Sequence, residues 1–185
     1  MPTYDVFDEA RYFEPDYANN IVTFKNIRIG LSICEDAWNV PFLPSIKYYH
    51  YNPISVQAEK GAEVFINISA SPYHIDKEKL RYNIIKYHAK KYGVPFILVN
   101  QVGANDELIF DGQSLAVNKN GMPIHISKPF EEEISTISLK NQRKTFSFKP
   151  QNKIKYVHDA LVLGIKAVSY THLRAHETSL HLVCR

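Results

Sequence analysis

The chain has 185 residues, 45% of them apolar and 12% aromatic, enough to bury one core in a single domain. Its formal net charge is +3 with acidic and basic residues interspersed, which argues against a nucleic-acid stripe or a membrane-surface face; the one basic cluster, 140–155, carries Phe146 and Phe148 but no recognisable binding module. The two cysteines, Cys34 and Cys184, are far apart and His172, His176 and His181 are loosely patterned, so neither disulfide nor metal site is expected; with no apolar run near the roughly 20 residues that span a bilayer, a reducing, cytoplasmic setting is expected.

Residues 1–15 show no periodicity. The stretches 21–24 and 27–33 read as a hairpin turning at Lys25-Asn26, with a second strand apolar on both faces towards its end and therefore central. A short helix is expected at 54–60 and a buried strand at 63–68, closed by the loop 69–72; the Asn67-Ile68-Ser69 sequon reads as incidental strand sequence. Leu80, Ile84, Ile85, His88, Ala89 and Tyr92 recur at helical spacing and predict a helix over 77–92, with Asp76 as its cap and Gly93 just past its end. Strands are expected at 95–99, 107–110 and 113–117, a hairpin turn at Asn120-Gly121, an edge strand at 134–139 and an amphipathic helix at 156–166. This order predicts a layered α/β architecture with a mixed sheet.

Cys34 ends the central strand and is followed by Glu35, Asp36, Ala37 and Trp38. A cysteine there is either a buried structural residue or a nucleophile at a strand mouth. As a nucleophile it needs positive charge or a base from elsewhere, because the neighbouring carboxylates raise a thiol's pKa.

Five ordered segments surround this cysteine: 2–9 with Arg11-Tyr12-Phe13, 30–38, 67–72, 99–103 and 105–112 with Ser114. Across residues 1–166 the chain resembles the glutaminase domain of glutamine-dependent NAD⁺ synthetases, a branch of the nitrilase (carbon–nitrogen hydrolase) superfamily. The resemblance implies the C-terminal part of an α-β-β-α sandwich. It also implies that Cys34 attacks the side-chain amide of glutamine, releases ammonia and leaves a glutamyl thioester that water opens, with a lysine stabilising the oxyanion. Glu9 falls on the glutamate that orients this lysine. Phe7, Glu35, Ser71 and Lys77 fall on glutamine-binding positions, with Glu35 and Ser71 suited to the α-ammonium and Lys77 to the α-carboxylate.

In this pattern the lysine lies three residues ahead of the position held by Met1 and the general base lies further upstream, so the chain reads as an internal piece that is inactive alone and leaves apolar sheet faces open. The expected division is a partial glutaminase domain at 1–150, a linker and the start of a synthetase domain at 151–166, and a foreign tail at 167–185. ATP and Mg²⁺ would belong to the synthetase domain, and deamido-NAD⁺ and ATP would join glutamine as ligands of a homo-oligomeric parent, with no role for nucleic acid or membrane. The competing readings are a stand-alone nitrilase-type amidase and a non-catalytic interaction module on the same fold.

Overall fold

A computed structural model describes residues 3–4, 7–8, 11–14, 21–43, 51–139 and 145–183, with the backbone alone for 3–4, 7–8 and 171–183. A two-stranded antiparallel hairpin, β1 (Thr3–Tyr4) and β2 (Phe7–Asp8), lies where the sequence shows no periodicity. The expected hairpin forms as β3 (Ile21–Phe24) and β4 (Ile27–Ile33). Lys25 and Asn26 both take positive φ, 47° and 62°, the twist that a tight two-residue connection requires.

Two steps of strand, helix, parallel strand follow. After β4, α1 (Pro53–Glu59) leads to β5 (Val64–Ser69), and α2 (Lys77–Tyr92) leads to β6 (Phe96–Asn100), with β4, β5 and β6 mutually parallel. Proline at the start of α1 fits a position whose N–H has no helical partner, and the Asn52 side chain accepts from Ser55 N–H at 3.2 Å. Gly93 ends α2 with φ 66°, as the sequence suggests. Asp76 does not cap α2 with its side chain: its own φ is 66°, and its carboxylate instead accepts from Lys79 and Lys153 at 2.5 and 2.6 Å.

The hairpin β7 (Val102–Asn105) and β8 (Leu108–Asp111) stands apart from the main sheet, whereas β9 (Leu115–Val117) and β10 (Pro123–Ile126) complete a six-stranded mixed sheet in the order β10-β9-β6-β5-β4-β3. The turn at Asn120-Gly121 is held by the Asn118 side chain, which accepts from the N–H groups of Asn120 and Met122. The edge strand expected at 134–139 does not form. β10 already occupies the place beside β9, and the later segment runs exposed, with Ile134 fully in solvent. Helix α3 (Lys153–Val183) outruns the expected 156–166, because no proline or glycine follows Gly164 and Ala167, Leu173, Ala175 and Leu180 all favour helix.

The core lies between one sheet face and the helices. Phe65, Phe96 and Leu98 meet Ile54, Ile84, Ile85 and Ala89, each at most 4% exposed. Burial of this kind contributes roughly 25 cal/mol per Å² of apolar surface. The opposite sheet face carries Leu31, Ile33, Ile68 and Val99 in solvent, with Ile33 71% exposed. One α layer on one β layer, with an apolar second face, is the half-sandwich that the sequence suggests. Among the described residues no helix is long and apolar enough to cross a membrane.

Candidate active site

Parallel strands deliver side chains to the crevice at their carboxyl ends, and Cys34 stands at the end of β4. It opens a single 3-10 turn, Cys34–Ala37, with φ +43°, a left-handed conformation that costs a non-glycine residue roughly 1–3 kcal/mol unless its surroundings hold it. Two side chains do so. Asp36 reaches back to accept from Ile33 N–H at 2.8 Å, and the Asn67 amide donates to the Cys34 carbonyl at 3.1 Å.

The thiol is pushed up to about 11. Burial is the main cause and the Glu35 charge the next, while Lys77 and a hydrogen bond with Ser69 act in the opposite sense. The repulsion expected from the adjacent carboxylates is therefore present, and so is a cation. Lys77, the first residue of α2, does not face solvent as a first-turn lysine ordinarily does. Its ammonium lies 5.4 Å from the centre of the Trp38 ring, and burial, then Arg81, lowers its pKa, with Cys34, Glu35 and Asp111 acting the other way.

Glu35 is buried, 5% exposed, beside the thiol. Ser71, two residues beyond β5, is 2% exposed; its N–H donates to Asn100 Oδ1 at 2.9 Å and its carbonyl accepts from Arg81 at 3.4 Å. With the backbone so fixed, the Ser71 hydroxyl is buried without a hydrogen-bond partner. It lines a recess with Trp38, Asn67, Ser69 and Arg81. Ser71 lines that recess itself, whereas Cys34 and Lys77 adjoin it through two lining residues, Ser69 and Trp38, with Glu35 next to the thiol. Glu9 lies outside the described residues, and Phe7 falls in β2, where the backbone alone is described.

Several residues of this crevice were not expected. Asn67 and Ser69, read above as incidental, are buried at 1% and 8% exposure on the helix-covered face. Arg81 and Asp111 form a buried ion pair, and Tyr156 of α3 donates to the same Asp111 oxygen at 2.7 Å. The available signal was polarity in the wrong place: asparagine and serine at inward positions of strands otherwise apolar, and arginine on the core stripe of a helix.

No protein-family profile matches the chain. Among curated proteins, the glutamine-dependent NAD(+) synthetase of Synechocystis sp. is 41% identical over 172 residues, 89% of this chain and 30% of that protein. The corresponding protein of Thermotoga maritima is 42% identical over 139 residues, 75% of this chain and 23% of that protein. The chain belongs to the glutamine-dependent NAD(+) synthetase family. It spans less than a third of the length of these curated relatives. The solved structure of the glutamine-dependent NAD+ synthetase from Acinetobacter baumannii superposes with a TM-score of 0.75 at 25% identity, covering 91% of this chain and 31% of that one. An amidase of the nitrilase superfamily from Nesterenkonia shares the fold, with a TM-score of 0.53 at 19% identity over 66% of this chain.

Proposed function

We propose that the crevice is the nucleophile half of a glutamine-hydrolysing site. The observation that carries this reading is the meeting of Cys34, in a left-handed turn, with a half-buried lysine, a buried carboxylate and a buried serine hydroxyl that has no partner. In the reading, the Cys34 sulfur forms a bond to the side-chain carbonyl carbon of glutamine, the C–N bond breaks, and ammonia leaves with a proton from the general acid. Water then opens the thioester to glutamate and returns the thiol. Lys77 pairs with the α-carboxylate, Glu35 and Ser71 accept from the α-ammonium, Phe7 packs on the substrate, and Glu9 orients the oxyanion lysine.

A thiol held at about 11 is only about one part in ten thousand thiolate at pH 7, so in this reading a general base takes the Cys34 proton as the sulfur attacks. The parent is a ligase that uses the ammonia to amidate deamido-NAD⁺ at the expense of ATP, with Mg²⁺, in the cytoplasm and as a homo-oligomer. Residues 1–150 are part of the glutaminase domain, 151–166 lead into the synthetase domain, and 167–185 are foreign to it. Among the described residues no group of three or more His, Cys, Asp and Glu could hold a metal ion.

The test is protection of Cys34 from iodoacetamide, read at the Cys34 peptide by mass spectrometry. L-glutamine should slow modification saturably and D-glutamine should not, and Lys77→Met should abolish the protection. Equal protection by both enantiomers would refute the assignment.

A further inference from the structure

Asn67 and Ser69 are two buried residues beside Cys34 that the proposed chemistry leaves unused. The Asn67 amide nitrogen donates both to the Cys34 carbonyl at 3.1 Å and to Ser32 Oγ at 3.0 Å, while its oxygen accepts from the Ser69 hydroxyl at 2.7 Å. Ser32 stands opposite Asn67 on the neighbouring parallel strand, Ser69 lies two residues on in β5 and Cys34 directly follows β4, so the amide cannot turn without disturbing all three bonds at once. Ser69 also meets the Cys34 thiol. A hydroxyl has one proton, and in the structure it points to Asn67, so Ser69 can only accept from the neutral thiol.

We propose that Asn67 and Ser69 are positioning residues for the nucleophile: the Asn67 amide clamps the left-handed Cys34 peptide through its carbonyl, and the Ser69 O–H rotates from Asn67 Oδ1 to the sulfur when the thiol gives up its proton. The switch is a rotation, not a transfer. The thiol proton goes to the base, Ser69 keeps its own, and Asn67 Oδ1 is released from its bond while its amide nitrogen stays in place. The sequon is a working part of the site rather than a glycosylation acceptor, since Asn67 is 1% exposed. The inference rests on the reading of Cys34 as the nucleophile.

The test is the pH profile of Cys34 alkylation in the whole chain, read at the Cys34 peptide. Ser69→Ala is expected to move the midpoint upward by about half to one unit, a roughly three- to tenfold loss of rate at any fixed pH below it. Ser69→Thr restores the hydroxyl and should keep the original midpoint. Asn67→Asp should raise it further, because a carboxylate retains the Ser69 proton and repels the thiolate. Circular dichroism screens for folding, and the Ser69 pair decides the matter if Asn67→Asp does not fold. Superimposable profiles for Ser69→Ala and the parent chain, or an equal shift in Ser69→Thr, would overturn the proposal. Glutamine protection measured on the same samples fails separately: an unprotected parent chain with a shifted Ser69→Ala profile would refute the glutaminase reading and leave the clamp standing.

Discussion

Replacing Arg81 with methionine tests how the helix α3 is tied to the candidate site. The Arg81 and Asp111 side chains are 2% and 1% exposed, and Asp111 Oδ2 takes both the guanidinium and the Tyr156 hydroxyl at 2.7 Å. Removing the cation leaves a buried carboxylate with only a phenol for partner, which costs roughly 3–5 kcal/mol. Tyr156→Phe removes one hydrogen bond to a charged acceptor, about 1.5–3 kcal/mol, and leaves the ring packed 5.4 Å from Tyr73 and 4.9 Å from Phe130. Arg81→Met combined with Asp111→Leu takes both charges away and should be less costly than Arg81→Met alone. Urea unfolding followed by fluorescence of Trp38, the one tryptophan, gives all three values. If Arg81→Met cost no more than Tyr156→Phe, or if the double variant were worse than the single, the buried pair would not be the tie inferred here.

Two further outcomes follow from burial. His88 is fully buried, donates from Nε2 to the Ala37 carbonyl at 2.7 Å and has Nδ1 without a partner, and burial pushes its pKa down to about 4. A depressed base contributes stability that is present above pH 6.5 and lost as the pH falls towards 4, here up to about 3 kcal/mol, so melting temperature should fall over that window and His88→Gln should flatten it. The apolar face of Leu31, Ile33, Ile68 and Val99 should make the chain self-associate; sedimentation velocity should show mass rising with concentration, and Ile33→Lys with Ile68→Lys should return it towards monomer, whereas a monomer at all concentrations would contradict this.

The α/β order was legible because its elements announce themselves locally. Branched apolar residues at every second position mark β4, a 3.6-residue stripe marks α2, and Lys25-Asn26 and Asn120-Gly121 mark tight turns. What failed depended on partners distant in sequence. Ile134 to its following residues has the alternation of a strand, yet no neighbour remains for it to pair with. Asp76 has the chemistry of a cap, but Lys153, 77 residues on, claims its carboxylate. The crevice was legible to the same extent. Motif context singles out Cys34 and Lys77 as candidates, while the Asn67, Ser69 and Arg81 contacts arise only when β4, β5 and α2 come together.

The central claim is that Cys34 is a nucleophile facing a bound glutamine, and an affinity label built on that substrate tests it most directly. A chloroketone analogue of L-glutamine, with the reactive carbon in place of the side-chain amide, should add once to the chain, at Cys34, with a rate that saturates and is suppressed by free L-glutamine. Cys34→Ser should take up none at that position. Labelling of Cys34 that rises linearly with reagent and ignores glutamine would contradict the account, because it would show an exposed thiol without a substrate site around it.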